Sequence, residues 1–202
     1  MGVPRAREPA GIQWLPFRMV KGTELDKRTQ RFEAMVLPHL DAAYNLARWL
    51  LRDDHSASDA VQDAFLRAFR FFDKLEGDEA RPWLLAIVRN SCYSLLGKRR
   101  QQGDQVEFDE ERDSDIEQPP SLDTNPETQL SRKIDSARLD DAIGRLPSVF
   151  REAIVLREIE EMSYEEIATI ANVPVGTVMS RLSRARALLR ERLGRDNEGA
   201  MP

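Results

Sequence analysis

Apolar residues recur along this chain at the three-to-four-residue spacing of an α-helix wherever they are frequent. The spacing predicts helical structure over residues 24–51, with a break or kink at Pro38, and two further helices at about 56–72 and 80–100. The short loops between these segments favour one compact helical unit. The sequence contains neither the alternating pattern of a β-strand nor an Asn-Gly hairpin turn, so we predict an all-α fold.

The pattern near the C-terminus predicts two helices joined by a tight turn. Ser163 is placed to cap the first helix, and Glu166 three residues later completes a capping box. The turn at Asn172 leads to Pro174, which suits the first turn of a second helix. That helix has one continuous apolar face, formed by Val175, Val178, Leu182, Ala185 and Leu189. Two helices in this arrangement are typical of a helix-turn-helix, a DNA-reading motif.

The other face of the second helix is polar, with charge of one sign. Thr177, Ser180 and Arg184 project away from the apolar stripe with Arg181 beside them, and the only charged residues from 177 to 189 are Arg181, Arg184 and Arg186. A face that is merely solvated would be expected to mix charge signs. Positive charge alone favours contact with phosphate, and the arginine fork can also read guanine in the major groove. We therefore predict that this helix contacts duplex DNA.

Residues 102–127 interrupt the helical pattern with acidic side chains, glutamines and prolines. Such a segment repels itself and has little apolar surface to bury, so we expect a flexible linker. Helical periodicity then returns. The sequence predicts two small helical domains joined by the linker, with the following boundaries: a mobile arm over 1–23, a first domain over 24–101, the acidic linker over 102–127, a second domain over 128–195 and a tail over 196–202.

Charge and composition narrow the classes of function. The net charge is −5, yet basic residues gather at 98–100 and 181–195, where they could meet phosphate. No apolar run approaches the roughly 20 residues of a membrane-spanning helix, and no signal peptide is recognisable, so we expect a cytoplasmic protein without membrane insertion. A lone Cys92 and the lack of any Cys/His cluster with zinc spacing leave neither an internal disulfide nor a zinc finger available, and we expect no metal and no other cofactor. Either Met1 or Met19 can be the start.

The third predicted helix carries cationic and aromatic side chains along its outer side. Arg89, Tyr93, Leu96 and Arg100 form the row, and Asn90, Lys98 and Arg99 flank it. Cations bind the nucleic-acid backbone and aromatic rings stack on bases, so this surface suits strands that are being separated. The alternative is that Tyr93 is a boundary aromatic and that the basic run favours the C-terminal end of the helix. The row alone leaves both interpretations open.

Four motifs in order resemble the bacterial RNA polymerase sigma factors of the extracytoplasmic-function (ECF) group. The resemblance covers roughly residues 26–195, with the acidic linker where the family has a variable connector. Gly97, and Ser94 where family members often have Asp, depart from the family pattern. The motifs that carry the resemblance are 59–68 (DAVQDAFLRA), 83–90 (WLLAIVRN), 146–152 (LPSVFRE), and 165–168 with 176–186 (EEIA and GTVMSRLSRAR).

The resemblance implies a two-domain subunit that binds core RNA polymerase and directs it to promoters. Asp59, Gln62 and Asp63 would contact the polymerase. Arg89, Asn90, Tyr93, Lys98, Arg99 and Arg100, with the 75–79 loop, would bind and melt the minus-ten element. Thr177, Ser180, Arg181, Arg184 and Arg186 would read the minus-thirty-five duplex. The polymerase would do the chemistry, so no catalytic residue is expected, nor an obligate homo-oligomer. The resemblance also implies an anti-sigma factor as a partner, which would place the protein in a stress or envelope response.

Three other classes of function are alternatives to a sigma factor. A stand-alone helix-turn-helix regulator would be expected to carry a sensing domain with alternating strands, which the sequence does not predict. A sigma mimic that sequesters an anti-sigma factor would have no use for the arginines at 181, 184 and 186. A helical-bundle enzyme with a di-metal site would need paired Glu and Glu-x-x-His motifs, and the sequence has none.

Overall fold

The structure is a computed structural model that describes residues 24–75, 77, 79–101 and 138–198. Within these ranges it is helical, with no β-strand, and none of its helices is both long and apolar enough to cross a membrane. The predicted arm, the linker over 102–127 and residues 199–202 lie outside the described ranges. The first unit contains α1 (Glu24–Val36), a 3-10 turn (Leu37–His39), α2 (Leu40–Leu51), α3 (Asp54–Phe71), a second 3-10 turn (Phe72–Lys74) and α4 (Ala80–Gln101).

The second unit follows the same all-helical plan. Its elements are α5 (residues 138–144), α6 (Ser148–Ile154), a π-helical segment (Val155–Ile159), α7 (Tyr164–Ala171) and α8 (Val175–Glu198). The π-helical segment continues directly from α6 and ends at Glu160, where the chain turns toward α7.

The helix boundaries of the first unit follow from local chemistry. Pro38 lies in the 3-10 turn that separates α1 from α2, which confirms the predicted break. Arg52 adopts a left-handed conformation (φ 54°) and ends α2. Asp53 then caps α3, because its carboxylate accepts a hydrogen bond from the Ser56 backbone N–H at 2.9 Å. As a result α3 begins two residues before the predicted start.

The core of the first unit is built around one aromatic ring. Phe32 of α1 meets Phe65, Phe69 and Phe72 edge-on, with ring centroids 6.4, 5.2 and 5.3 Å apart. Edge-to-face packing of this kind is the geometry that aromatic quadrupoles favour. The helix α1 is thereby fixed to the C-terminal half of α3.

The two units pack on one another and share a continuous set of buried apolar residues. Contacts run from α2 to α6 and the π-helical segment, and from α4 to α7. The separate helical patterns on either side of the linker predicted two units. The sequence contained no signal for their mutual contact, which brings the predicted melting helix α4 against the helix-turn-helix unit.

Candidate nucleic-acid and protein-binding surfaces

The helix-turn-helix forms as the sequence predicted. The Ser163 hydroxyl accepts from the Glu166 N–H at 3.1 Å, and the Glu166 carboxylate accepts from the Ser163 N–H at 2.7 Å. This reciprocal capping box fixes the start of α7. Asn172, in a left-handed conformation with φ 52°, ends α7. The Thr177 N–H then donates to the Pro174 carbonyl at 2.9 Å and begins α8.

The outer face of α8 is accessible at its centre. Val178, Leu182 and Ala185 are buried, which confirms three members of the predicted apolar stripe. Ser180 and Arg184 are exposed, and Thr177 is half-buried with its carbonyl accepting from the Ser180 hydroxyl. Met179, which belongs to none of the predicted sites, is 54% exposed beside them. The helical period of the sequence could have indicated this exposure, because it places position 179 outside the apolar stripe.

Two of the three predicted DNA-reading arginines lie close to carboxylates of the protein, Arg186 on the surface and Arg181 in a more buried position. Arg186 donates to Glu158 at 2.7 Å, and this hydrogen bond raises the pKa of Arg186. The Nη1 atom of Arg181 lies 3.9 Å from the Glu152 carboxylate, and its side chain is 20% exposed. Arg184 is exposed on the outer face of α8.

Two members of the row on α4, Arg89 and Tyr93, contact the second unit. Arg89 donates to one Glu152 carboxylate oxygen, and the Tyr93 hydroxyl donates to the other at 3.1 Å. The Arg89 guanidinium also stacks 4.5 Å from the centre of the Tyr93 ring. Burial, with a smaller effect of the Glu152 charge, raises the pKa of Tyr93 to about 12. Tyr93 is half-buried and packs against the shared core, where its hydroxyl reaches Glu152 of the second unit.

The flanking residues of the row divide into two groups. Asn90 and Lys98 are exposed. Arg99 instead turns back to α3, where it donates to the Ser56 hydroxyl and lies 3.7 Å from Asp53. Arg100 belongs to α4, but its side chain lies outside the described part of the structure, as do residues 76 and 78 of the preceding loop.

A second accessible surface lies on α3. Asp59 and Gln62 are exposed, and Asp63 accepts from Arg67 at 2.9 Å and from the Ser91 hydroxyl at 3.2 Å. Leu66, 72% exposed, adds an apolar patch that the sequence analysis did not single out. The helical period could have indicated the exposure of Leu66 as well, because position 66 lies outside the buried stripe of α3. The three predicted polymerase-binding residues thus share one helix with an exposed leucine.

The described residues contain no group of three His, Cys, Asp or Glu side chains close enough to hold a metal ion. Cys92 is buried, and its burial raises the pKa of the thiol to about 12. A thiol in that environment stays protonated and is a poor nucleophile.

Two known domain families match the chain in order. Sigma-70 region 2 matches residues 35–102, and Sigma-70 region 4 matches residues 136–189. Among curated relatives, the RNA polymerase sigma-H factor of Pseudomonas aeruginosa is 35% identical over 171 residues, which are 80% of this chain and 84% of that protein. The ECF RNA polymerase sigma factor SigE of Mycolicibacterium smegmatis is 35% identical over 164 residues, 81% of this chain and 62% of that protein.

Solved structures give the same comparison in three dimensions. The sigma factor RpoE of Bartonella quintana, in complex with the anti-sigma factor NepR, aligns with a TM-score of 0.66 and 30% identity, over 82% of this chain and 98% of that chain. CnrH, in complex with the cytosolic domain of CnrY, aligns with a TM-score of 0.59 and 27% identity, over 83% of this chain and 90% of that chain.

Proposed function

This chain belongs to the sigma-70 family, in its extracytoplasmic-function group, and on that premise we propose that it binds core RNA polymerase, directs it to specific promoters and helps to melt them. The observation that carries the proposal is the presence, in order, of a region 2 and a region 4 on one chain. Because the RpoE and CnrH structures are both complexes, one of them with a named anti-sigma factor, control by such a factor is part of the proposal. Sigma factors leave the chemistry to the polymerase, so we assign no catalytic residue and place the protein with the polymerase in the cytoplasm.

The polymerase-binding role is assigned to the exposed side of α3. Asp59, Gln62 and Asp63 lie there together with Leu66. An apolar residue surrounded by acidic and amide groups suits a basic partner surface that also buries a hydrophobic contact. Substitutions of these residues should therefore change binding to polymerase and leave the preference for promoter sequence unchanged.

The promoter-binding role is divided between α8 and α4. On α8, Thr177, Ser180, Arg181, Arg184 and Arg186 are assigned to the upstream duplex element, with Arg184 already exposed. On α4, Arg89, Asn90, Tyr93, Lys98, Arg99 and Arg100 are assigned to the minus-ten element and its unpaired strand. Stacking of a base on an aromatic ring offsets part of the cost of unstacking it, so Tyr93 is the residue assigned to strand separation.

Transcription in vitro with purified core polymerase tests the function directly. We expect the protein to direct initiation at a limited set of start sites that share two sequence elements at a fixed spacing. Core polymerase alone on the same genomic templates is the control. The protein without polymerase should bind duplex promoter weakly at physiological salt. Tight, sequence-selective binding of duplex by the free protein, with no polymerase-dependent start sites, would instead identify a stand-alone regulator.

A further inference from the structure

The exposed side of α8 combines small residues with two long side chains. Between positions 176 and 187, all of which the structure describes, the small exposed residues are Gly176, Ser180, Ser183 and Ala187. Met179 and Arg184 are the long ones, and the helical period places them at the two edges of this side. Small residues along its outer side allow the helix backbone to come close to a partner surface. The long side chains then determine which groups are contacted at the two edges.

Gly176 has no reason within the chain to be a glycine. A Cβ at this position would meet no atom of another part of the chain within 4 Å, and its φ is not positive. Glycine in a helix is less favourable than alanine, because it loses more conformational freedom on folding. A missing side chain in the first turn of α8 therefore suits a close approach from outside the protein, where a recognition helix meets base edges.

Met179 differs from its neighbours in the chemistry that it offers to DNA. The Ser180 hydroxyl donates to the Thr177 carbonyl at 2.9 Å, so its proton is already used within the helix. Arg184 carries charge and donors that suit phosphate or guanine. Met179 has neither, and it presents a flexible apolar side chain near the N-terminal end of α8. Residues at that end of a recognition helix contact base edges.

Thymine is the base that an apolar side chain in the major groove fits. All four bases present hydrogen-bonding groups there, and thymine adds a methyl group. An apolar side chain gains by covering that methyl and loses by covering a donor or acceptor that is then left without a partner. Met179 and Arg184 are separated by about 7.5 Å along the helix, which is about two base-pair steps. The two side chains therefore suit different base pairs of one element.

We propose that Met179 is a specificity-determining residue of α8 that packs against the methyl group of one thymine in the upstream duplex element. The inference rests on the proposed function, because it needs α8 to lie in the major groove of that element. Since Met179 is uncharged, it contributes to base preference and adds nothing to the salt-dependent contacts with phosphate. This difference separates its role from that of Arg184.

The test uses the complex of the full chain with core polymerase on a promoter identified from its start sites in vitro. Each thymine of the upstream element is replaced in turn by deoxyuridine, which lacks only the methyl group. Met179→Gln keeps the length of the side chain and makes its end polar, whereas Met179→Leu keeps the side chain apolar. The control, Leu139→Ala, removes an exposed apolar side chain from α5, outside the proposed surfaces. The Kd is measured across a salt series.

We expect one position at which deoxyuridine weakens binding of the wild type by about fourfold, the effect of uncovering one methyl group. Met179→Gln should bind the thymine and deoxyuridine promoters equally at that position. Met179→Leu and Leu139→Ala should keep the difference, and the salt slope should be the same for all four proteins. A deoxyuridine effect that persists in Met179→Gln, or one that is also lost in Leu139→Ala, would overturn the inference.

Failure of this inference is distinguishable from failure of the proposed function. If the complex selects start sites with a shared upstream element in which no thymine methyl group matters, the role of Met179 is wrong and the proposed function stands. If the protein gives no polymerase-dependent start sites, the proposed function is wrong and the role of Met179 is rejected with it.

Discussion

At the scale of single residues, the most consequential group is the Glu152 carboxylate. It lies in the interior, accepts from Arg89 and Tyr93, and stands 3.9 Å from Arg181. Loss of a partner from a buried pair costs about 3–5 kcal/mol, whereas an exposed pair contributes about 1 kcal/mol or less. One carboxylate therefore contacts three side chains that are assigned to two different DNA surfaces.

Asp53 gives a stability prediction at the same scale. It caps α3, and hydrogen bonds from Ser56 lower the pKa of its carboxyl, with a smaller contribution from Arg99. At pH 7 we expect Asp53→Ala to destabilise the protein by about 0.5–2 kcal/mol, and Asp53→Asn by less, because Asn also caps helices well. Urea unfolding measures both variants.

The pH dependence of Asp53 has a defined sign. A carboxyl whose pKa is lower in the folded state contributes stability that is complete above its ordinary pKa of 3.8. That contribution disappears as the pH falls through the folded pKa. The gap between the wild type and Asp53→Asn should therefore narrow in acid. A gap that is unchanged between pH 7 and about pH 3 would contradict the assigned cause of the lowered pKa.

At the scale of elements, the features that depend on local interactions were the ones that the sequence predicted best. The Pro38 break, the Ser163–Glu166 capping box and the buried face of α8 depend on residues a few positions apart. The π-helical segment at Val155–Ile159 was not predicted, because no short-range pattern distinguishes it from an ordinary helix. The partners of Arg186 and Arg99 were likewise unpredictable, since Glu158 and Ser56 lie far away in sequence.

Arg184 gives the prediction for the recognition helix α8. It is exposed on the outer face, so Arg184→Ala should weaken promoter recognition by about 1–3 kcal/mol if its fork pairs with a base. The measurement is binding of promoter variants by the polymerase complex across a salt series. If Arg184 contacts only phosphate, all sequences should weaken alike and the salt slope should fall by about 1.

The control for Arg184 is Arg190→Ala, an exposed arginine further along α8 that is not assigned to DNA. It should leave base preference intact. Both variants should still join polymerase in a pull-down experiment. Loss of promoter activity by Arg184→Ala through loss of polymerase binding alone would show that the helix face has been assigned wrongly.

At the scale of the whole molecule, both units carry charged residues on their surfaces, and they share one buried apolar core. The net charge of −5 opposes contact of the free protein with DNA. The contacts across the units add a local obstacle, since Arg89 and Tyr93 of α4 both donate to Glu152. Non-local pairing of this kind cannot be read from periodicity, and it is the part of the candidate site that the sequence left undetermined.

Substitutions of Tyr93 distinguish a role in strand separation from a role in packing alone. Tyr93→Phe keeps the ring and loses the hydrogen bond to Glu152, whereas Tyr93→Ala loses both. Stacking on an unpaired base contributes about 1–3 kcal/mol and arises only after strands separate. We therefore expect Tyr93→Ala to impair strand opening more than promoter capture. Because Tyr93→Phe keeps the ring, we expect it to support strand opening nearly as well as the wild type. Permanganate reactivity of unpaired thymines measures opening.

A template that is already melted at the minus-ten element separates the two roles of Tyr93. Because its bases are unpaired from the start, this bubble template should restore much of the transcription lost in Tyr93→Ala and should change Tyr93→Phe little. A packing residue would behave otherwise: Tyr93→Ala would lower the melting temperature of the protein and transcribe the bubble template no better than the closed duplex. That pair of results would remove Tyr93 from strand separation and leave it as a contact between the two units.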